Sequence, residues 1–194
     1  MATTCSRLAP ATVPDLHVFA AGPFDAPHDS PSGAVFALVT GLVLPHSRGW
    51  VRLRSADPGD PPRIDVAHLR HPVDMARMIE ATLIARAISR TGPLAGLIEG
   101  AELAPGPAIA DTDTDALAAS IASRVQSYHH PVGTCRMGPD PGSGAVVDAH
   151  GRVHGVGHLR VADASIMPTI PNANWGAPSL PDSPSIEVFS ATFS

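Results

Sequence analysis

Residues 126–140 read "QSYHHPVGTCRMGPD" and gather an imidazole pair, a thiol, a guanidinium and a thioether within a few residues of one proline. That mixture has several chemical readings. A zinc site needs three or four N or S ligands, and neither an H-x-x-x-H pair on a helix nor a C-x-x-C accompanies the doublet. A nucleophilic thiol at Cys135 is open, with a buried inert cysteine as the plain alternative. Serine-hydrolase chemistry lacks its G-x-S-x-G elbow. A histidine general base remains, since imidazole titrates near about pH 6.5 and can take a hydroxyl proton at neutral pH. For His130 a satisfied structural histidine is the competing reading.

The elements on either side must hold the doublet. The spacing of Leu117, Ile121 and Val125 predicts a helix over 112–128, opened near Thr112 with Asp115 three residues on as a variant capping box. Pro131 disfavours helical geometry at His130. His130 is therefore expected to be extended at the start of a strand, with His129 turned to the other face. An earlier helix is predicted from Pro72, with Met75, Ile79 and Leu83 as its buried stripe and Met78 beside them, ended by Gly92-Pro93. Residues 34–44, "AVFALVTGLVL", read as a buried strand. "GWVRLRS" alternates, with Val51 and Leu53 on its buried face, and "RIDVAHL" offers a further short strand. Residues 1–33 are rich in Pro, Ala, Ser and Asp and read as loop. After the doublet, "AVVDA", "GRVHG" and "HLRVADAS" read as short strands. "GSGAVV" and "GVGHLR" contain Gly-x-Gly but open no helix, so turns explain them.

Bulk properties bound the function. The 194 residues carry a net charge of −5 with a pI near 6.0 and no Lys/Arg run, which argues against nucleic acid and anionic membrane as partners. The longest apolar run is short and broken by Gly41, so no membrane span is expected. No export signal is visible at the amino terminus, and Cys5 and Cys135 make no disulfide framework. A cytoplasmic location is expected.

"YHHPVGTCRMGPD" followed by "GAVVDAHGRVHGVGHLRVADASIMPTIPNAN" resembles the carboxy-terminal region of the glucose–methanol–choline (GMC) flavoprotein oxidoreductases. "PHSRGWVRLRSADPGDPPRIDVAHLRHPVDM" is similar to the start of that family's substrate-binding domain. The resemblance covers about residues 35–174. It implies oxidation of the CH–OH group of a small-molecule alcohol with FAD as cofactor. It also implies that His130 exchanges the hydroxyl proton, with His129 the weaker candidate, and that Asp163 and Ala164 line the flavin. A turn cap is the plain alternative for Asp163. No metal is expected.

The implied fold is α+β, an antiparallel sheet with helices packed on one face, plus a partial edge of the FAD domain at the carboxy terminus. The expected organisation is a loop-rich segment 1–33, a GMC carboxy-terminal domain 34–174 and a divergent tail 175–194. The family's G-x-G-x-x-G turn is absent from this sequence, and the position expected to carry a second His or Asn reads Gly176. The expectation is a substrate-domain half that binds FAD weakly by itself and works beside a separate chain carrying the FAD domain. The alternative is a non-catalytic remnant or binding module that keeps only the fold.

Overall fold

The computed structural model describes residues 2–9, 13–25, 28, 32–127 and 129–171. The chain divides into two compact units, one formed by residues 1–45 with 71–125, the other by residues 46–70 with 126–194. The architecture is α+β.

The first unit is built on a three-stranded antiparallel sheet in the order β1-β2-β3, with β1 Ala2–Thr4, β2 Leu16–Asp25 and β3 Ala34–Leu42. The strand expected over 34–44 is thus present as β3. The reading of 1–33 as loop is corrected. β2 runs through it and pairs with β3 from Leu16↔Leu42 to Asp25↔Ala34, with a break in register between Ala21 and Phe24. Pro23 sits at that break, and a proline at a bulge costs the sheet no ladder bond.

Helix α1, Pro72–Ser89, packs on β2 and β3. It starts where expected, with Pro72 in its first turn and the His71 ring accepting from the Val73 amide. Its buried stripe is not the expected one. Asp74, Arg77, Ala81, Thr82 and Arg86 are buried, whereas Met75, Met78, Ile79 and Leu83 are half-buried. A helix can bury a polar stripe when each charge finds a partner there. Arg77 Nε lies 3.0 Å from Asp15 Oδ2 in an ionic contact off the hydrogen-bond line. Its terminal nitrogens donate to the carbonyls of Leu44 and Leu8. Asp15 in turn accepts from the Ser6 amide and hydroxyl at 2.7 and 2.6 Å. One turn from the end of α1, the Arg86 guanidinium donates to both Glu102 carboxylate oxygens, to Asp111 and to the carbonyls of Gly106 and Ile109. Those bonds use all its N–H groups and strap the 102–111 loop to α1.

Gly92-Pro93 does not simply end α1; it opens a short helix α2, Gly92–Ala95. Helix α3 spans Thr114–Arg124. Its cap is Asp113, which accepts from the Ala116 amide at 3.0 Å, rather than Thr112. It leaves helical geometry at Val125, before Tyr128. Leu117 is its one buried residue among the described ones.

In the second unit, β4 Trp50–Arg52 pairs antiparallel with β5 Arg63–Asp65. Gly49 permits the close approach of this hairpin, because a Cβ there would lie 2.1 Å from the Asp65 carbonyl oxygen. The expected burial of Val51 and Leu53 is not observed; they are 39% and 85% exposed. The strands expected after the doublet are reduced to single bridges, Met137↔Val147, Val147↔Val153 and Arg152↔Arg160. Ala67, Val132, Ala145 and Val147 form the buried apolar set of this unit. Among the described residues no helix is long and apolar enough to cross a membrane, and no cluster of three or more His, Cys, Asp or Glu could hold a metal.

Candidate active site

The chain does not run extended through the histidine doublet as expected. His129 has φ +61°, the left-handed region that costs most residues about 1 kcal/mol or more. Its amide donates to the Ser127 hydroxyl oxygen at 3.1 Å, which fixes the turn locally. His129 is exposed and His130 half-buried. The reversal at His129, together with Pro131, therefore sets the direction in which His130 enters the second unit.

After the doublet, Pro131 and Val132 are buried and the backbone joins a distant segment. The Cys135 amide donates to the Ser165 carbonyl at 2.9 Å and the Met137 amide to the Ile166 carbonyl at 2.8 Å. These bonds bring the segment after His130 against the segment that starts with Asp163, although about thirty residues separate them in sequence. Asp163 caps a 3₁₀ turn over Ala164–Ile166, accepting from the Ser165 amide at 2.8 Å through Oδ1. The turn-cap role is therefore real. Oδ2 has no protein partner among the described residues and can accept from a hydroxyl. Cys135 is half-buried.

Arg136 was missed as a residue of interest. Its Nε donates to the Gly144 carbonyl at 3.0 Å and an Nη donates to the Ser143 carbonyl, which clasps the Pro141–Ser143 turn. "GSGAVV" is thus a capped turn, as its short Gly-x-Gly suggested. A second clasp holds "DAHGR". The Arg152 amide, the Arg152 guanidinium and the His150 amide all donate to the Asp148 carboxylate, holding it well below the usual carboxylate range. The lone signal in sequence for either clasp is an Arg near a Gly- or Asp-containing turn, which is too common to single out.

A cleft of about 310 Å³ lies against the same segment. Arg48, Trp50, Val132, Thr134, Met167 and Ile170 are among the residues that line it. Trp50 and Arg48 come from the β4 entrance. Gly176 and the tail after Asn174, for which a missing polar partner and a divergent run were expected, lie outside the described residues.

The paired backbone segments carry the two motifs that suggested a flavoprotein, and comparison with known proteins agrees. The sequence model of the GMC oxidoreductase family matches residues 45–180, and the chain belongs to that family. It is 45% identical over 138 residues to an alcohol dehydrogenase [acceptor] of Pseudomonas putida, covering 71% of this chain and 24% of that one. It is 36% identical to a 5-(hydroxymethyl)furfural oxidase of Methylovorus sp., over 90% and 33% of the two chains. The crystal structure of pyridoxine 4-oxidase from Mesorbium loti matches with a TM-score of 0.67 and 35% identity, over 82% of this chain and 31% of that one. The chain therefore spans a quarter to a third of the length of these relatives. The family is FAD-dependent.

Proposed function

We propose that these residues are the substrate-side, carboxy-terminal part of an FAD-dependent oxidoreductase that converts an alcohol to its carbonyl compound. The observation that carries the reading is the pair of backbone bonds from Cys135 and Met137 to Ser165 and Ile166. They hold the His130 segment and the Asp163 segment in one rigid piece, as a site needs when proton acceptor and cofactor support must keep fixed geometry.

In this reading residues 34–174 are the family unit, residues 1–33 precede it and 175–194 are a divergent tail. The carboxy-terminal part of the chain contributes a partial edge of the FAD domain. Asp163 fits that role, because its cap bond orients the carboxylate and leaves Oδ2 to accept from a cofactor hydroxyl, with Ala164 beside it. Bound FAD supplies a two-electron acceptor. The chain's own residues would take the other product of the oxidation: His130 would accept the proton from the hydroxyl oxygen, while the hydride on the carbon that bears this oxygen would go to the acceptor. His129 holds the turn that aims His130. Activity requires an FAD-binding portion supplied by further polypeptide, and these residues alone bind the flavin weakly.

The test is to purify the chain with and without a GMC flavin-binding portion and record the visible spectrum. The expectation is a colourless chain alone and, with the portion added, a flavin band that bleaches with an alcohol under anaerobic conditions. A yellow protein with near-stoichiometric flavin from the chain alone would contradict the division of the site. An unbleached complex would contradict the alcohol reading.

A further inference from the structure

The hairpin closed by the Arg152↔Arg160 bridge sends one side chain back to the strip that follows the doublet. His154 is half-buried, and its Nε2 lies 2.9 Å from the Gly138 carbonyl oxygen. A carbonyl only accepts, so this nitrogen carries the proton and Nδ1 is left as the acceptor of the neutral ring. Gly138 is held on other sides as well. Its amide donates to the Val147 carbonyl at 2.9 Å, and a Cβ on it would lie 2.9 Å from the Ala145 Cβ, closer than such atoms come. The His154 amide donates to the Val146 carbonyl at 3.0 Å, which fixes the backbone that carries the ring. Within the strip, bonds alternate as in a central strand. Cys135 and Met137 donate to Ser165 and Ile166, whereas Arg136 accepts from Val146 and Gly138 donates to Val147. Arg136 spends its guanidinium on the Ser143 and Gly144 carbonyls. Among the described residues, the His154 ring is therefore the one side chain that hydrogen-bonds the backbone of 135–138.

We infer that His154 is a positioning residue of the proposed oxidation: its Nε2–H holds Gly138, and so keeps the His130 segment in register against the Asp163 segment. The inference rests on the reading of those two segments as the proton-accepting and flavin-supporting sides of one site. His154 acts through the backbone and touches neither substrate nor flavin. Its loss leaves every reacting group present but less well aligned. Misalignment lowers the rate of the bound complex more than it weakens alcohol binding, because orientation is needed in the transition state above all.

The test compares the whole chain with His154→Phe, which keeps a ring and loses the donor, and His154→Gln, which keeps a donor. In the parent, long-range ¹H–¹⁵N spectra taken above the ordinary imidazole range should show His154 protonated on Nε2 and bare on Nδ1. In His154→Phe, the Cys135 and Met137 amides should exchange about tenfold faster, the worth of one lost hydrogen bond, while the amides of β2 stay unchanged. With an FAD-binding portion supplied, its limiting rate of flavin reduction should fall about tenfold and the half-saturating alcohol concentration stay within about twofold. His154→Gln should recover most of both losses. An Nδ1–H tautomer would overturn the inference even if His154→Phe failed to fold. So would exchange in His154→Phe like that of the parent, a glutamine variant as impaired as the phenylalanine one, or a change confined to the half-saturating concentration. The alcohol reading fails separately: a parent complex whose flavin is not bleached sinks that reading and leaves the tautomer and exchange results untouched.

Discussion

The two units are held by different means. In the first, buried charges do much of the work: Arg77 is 2% and Asp15 0% exposed, and Arg86 is saturated by acceptors from one loop. In the second, the strands are short, and side chains mostly clasp backbone turns, as Arg136 does with Ser143 and Gly144. A charge network is costly to damage, because losing one member strands the others in low dielectric. A backbone-knit unit keeps its geometry without specifying which side chains project from it. The first arrangement suits a scaffold. The second suits a site whose pocket must vary while its frame does not.

The contrast breaks most sharply at Asp15. Asp15→Ala leaves Arg77 buried without its counter-charge, and a loss of about 3–5 kcal/mol is expected in urea denaturation. A loss under 1 kcal/mol would mean that the network stabilises little. Arg86→Lys should cost about 2 kcal/mol, since an ammonium cannot reproduce the planar fork and its carboxylate partners are partly hydrated. In the second unit the sensitive positions are backbone ones. Gly151→Ala places a Cβ 2.7 Å from the Val161 carbonyl oxygen at φ +72°, and should cost about 1–3 kcal/mol. Amide exchange of the Arg152 region would report it.

The smallest expected difference is in acid. The His17 imidazole is buried, and its Nε2 has no hydrogen-bond partner among the described residues. Burial lowers its pKa from the ordinary 6.5. The folded state therefore binds fewer protons than the unfolded chain below about pH 6.5, and stability of the first unit falls as pH drops through that window. His17→Gln should flatten this slope. Asp148 works in the same sense but in a lower window: its pKa is depressed, so its contribution is present above the ordinary carboxylate value and fades only as pH falls below about 4. Exchange protection that falls first near pH 6 in the first unit and only in stronger acid in the second would sustain the contrast.

Much of the frame was legible because local chemistry and tertiary structure agree there. Pro72 opens α1, and the uncharged run from Ala34 forms β3. What could not be read depends on partners far off in sequence. The polar stripe of α1 is buried because Asp15, Leu8 and Leu44 meet it, and a search for apolar periodicity points to Met75 and Ile79 instead. β2 was hidden by Pro23, which sits harmlessly at a bulge. Leu53 reads as a buried strand residue but is exposed, since alternation tells which residues share a face and not whether anything covers it. At the doublet, Pro131 correctly implied that the helix could not reach His130. The left-handed turn at His129 carried no such signal, because no glycine marks it.

The proposed function gives the adjacent imidazoles unlike roles, which is the claim most open to measurement. With an FAD-binding portion supplied, stopped-flow absorbance should follow flavin reduction by an alcohol in the parent, His130→Ala and His129→Gly. His130→Ala is expected to slow reduction about a hundredfold or more, the usual worth of a positioned base. His129→Gly should leave it within a few-fold, because glycine adopts φ +61° without strain. Equal losses for both variants, or none for either, would contradict the assignment.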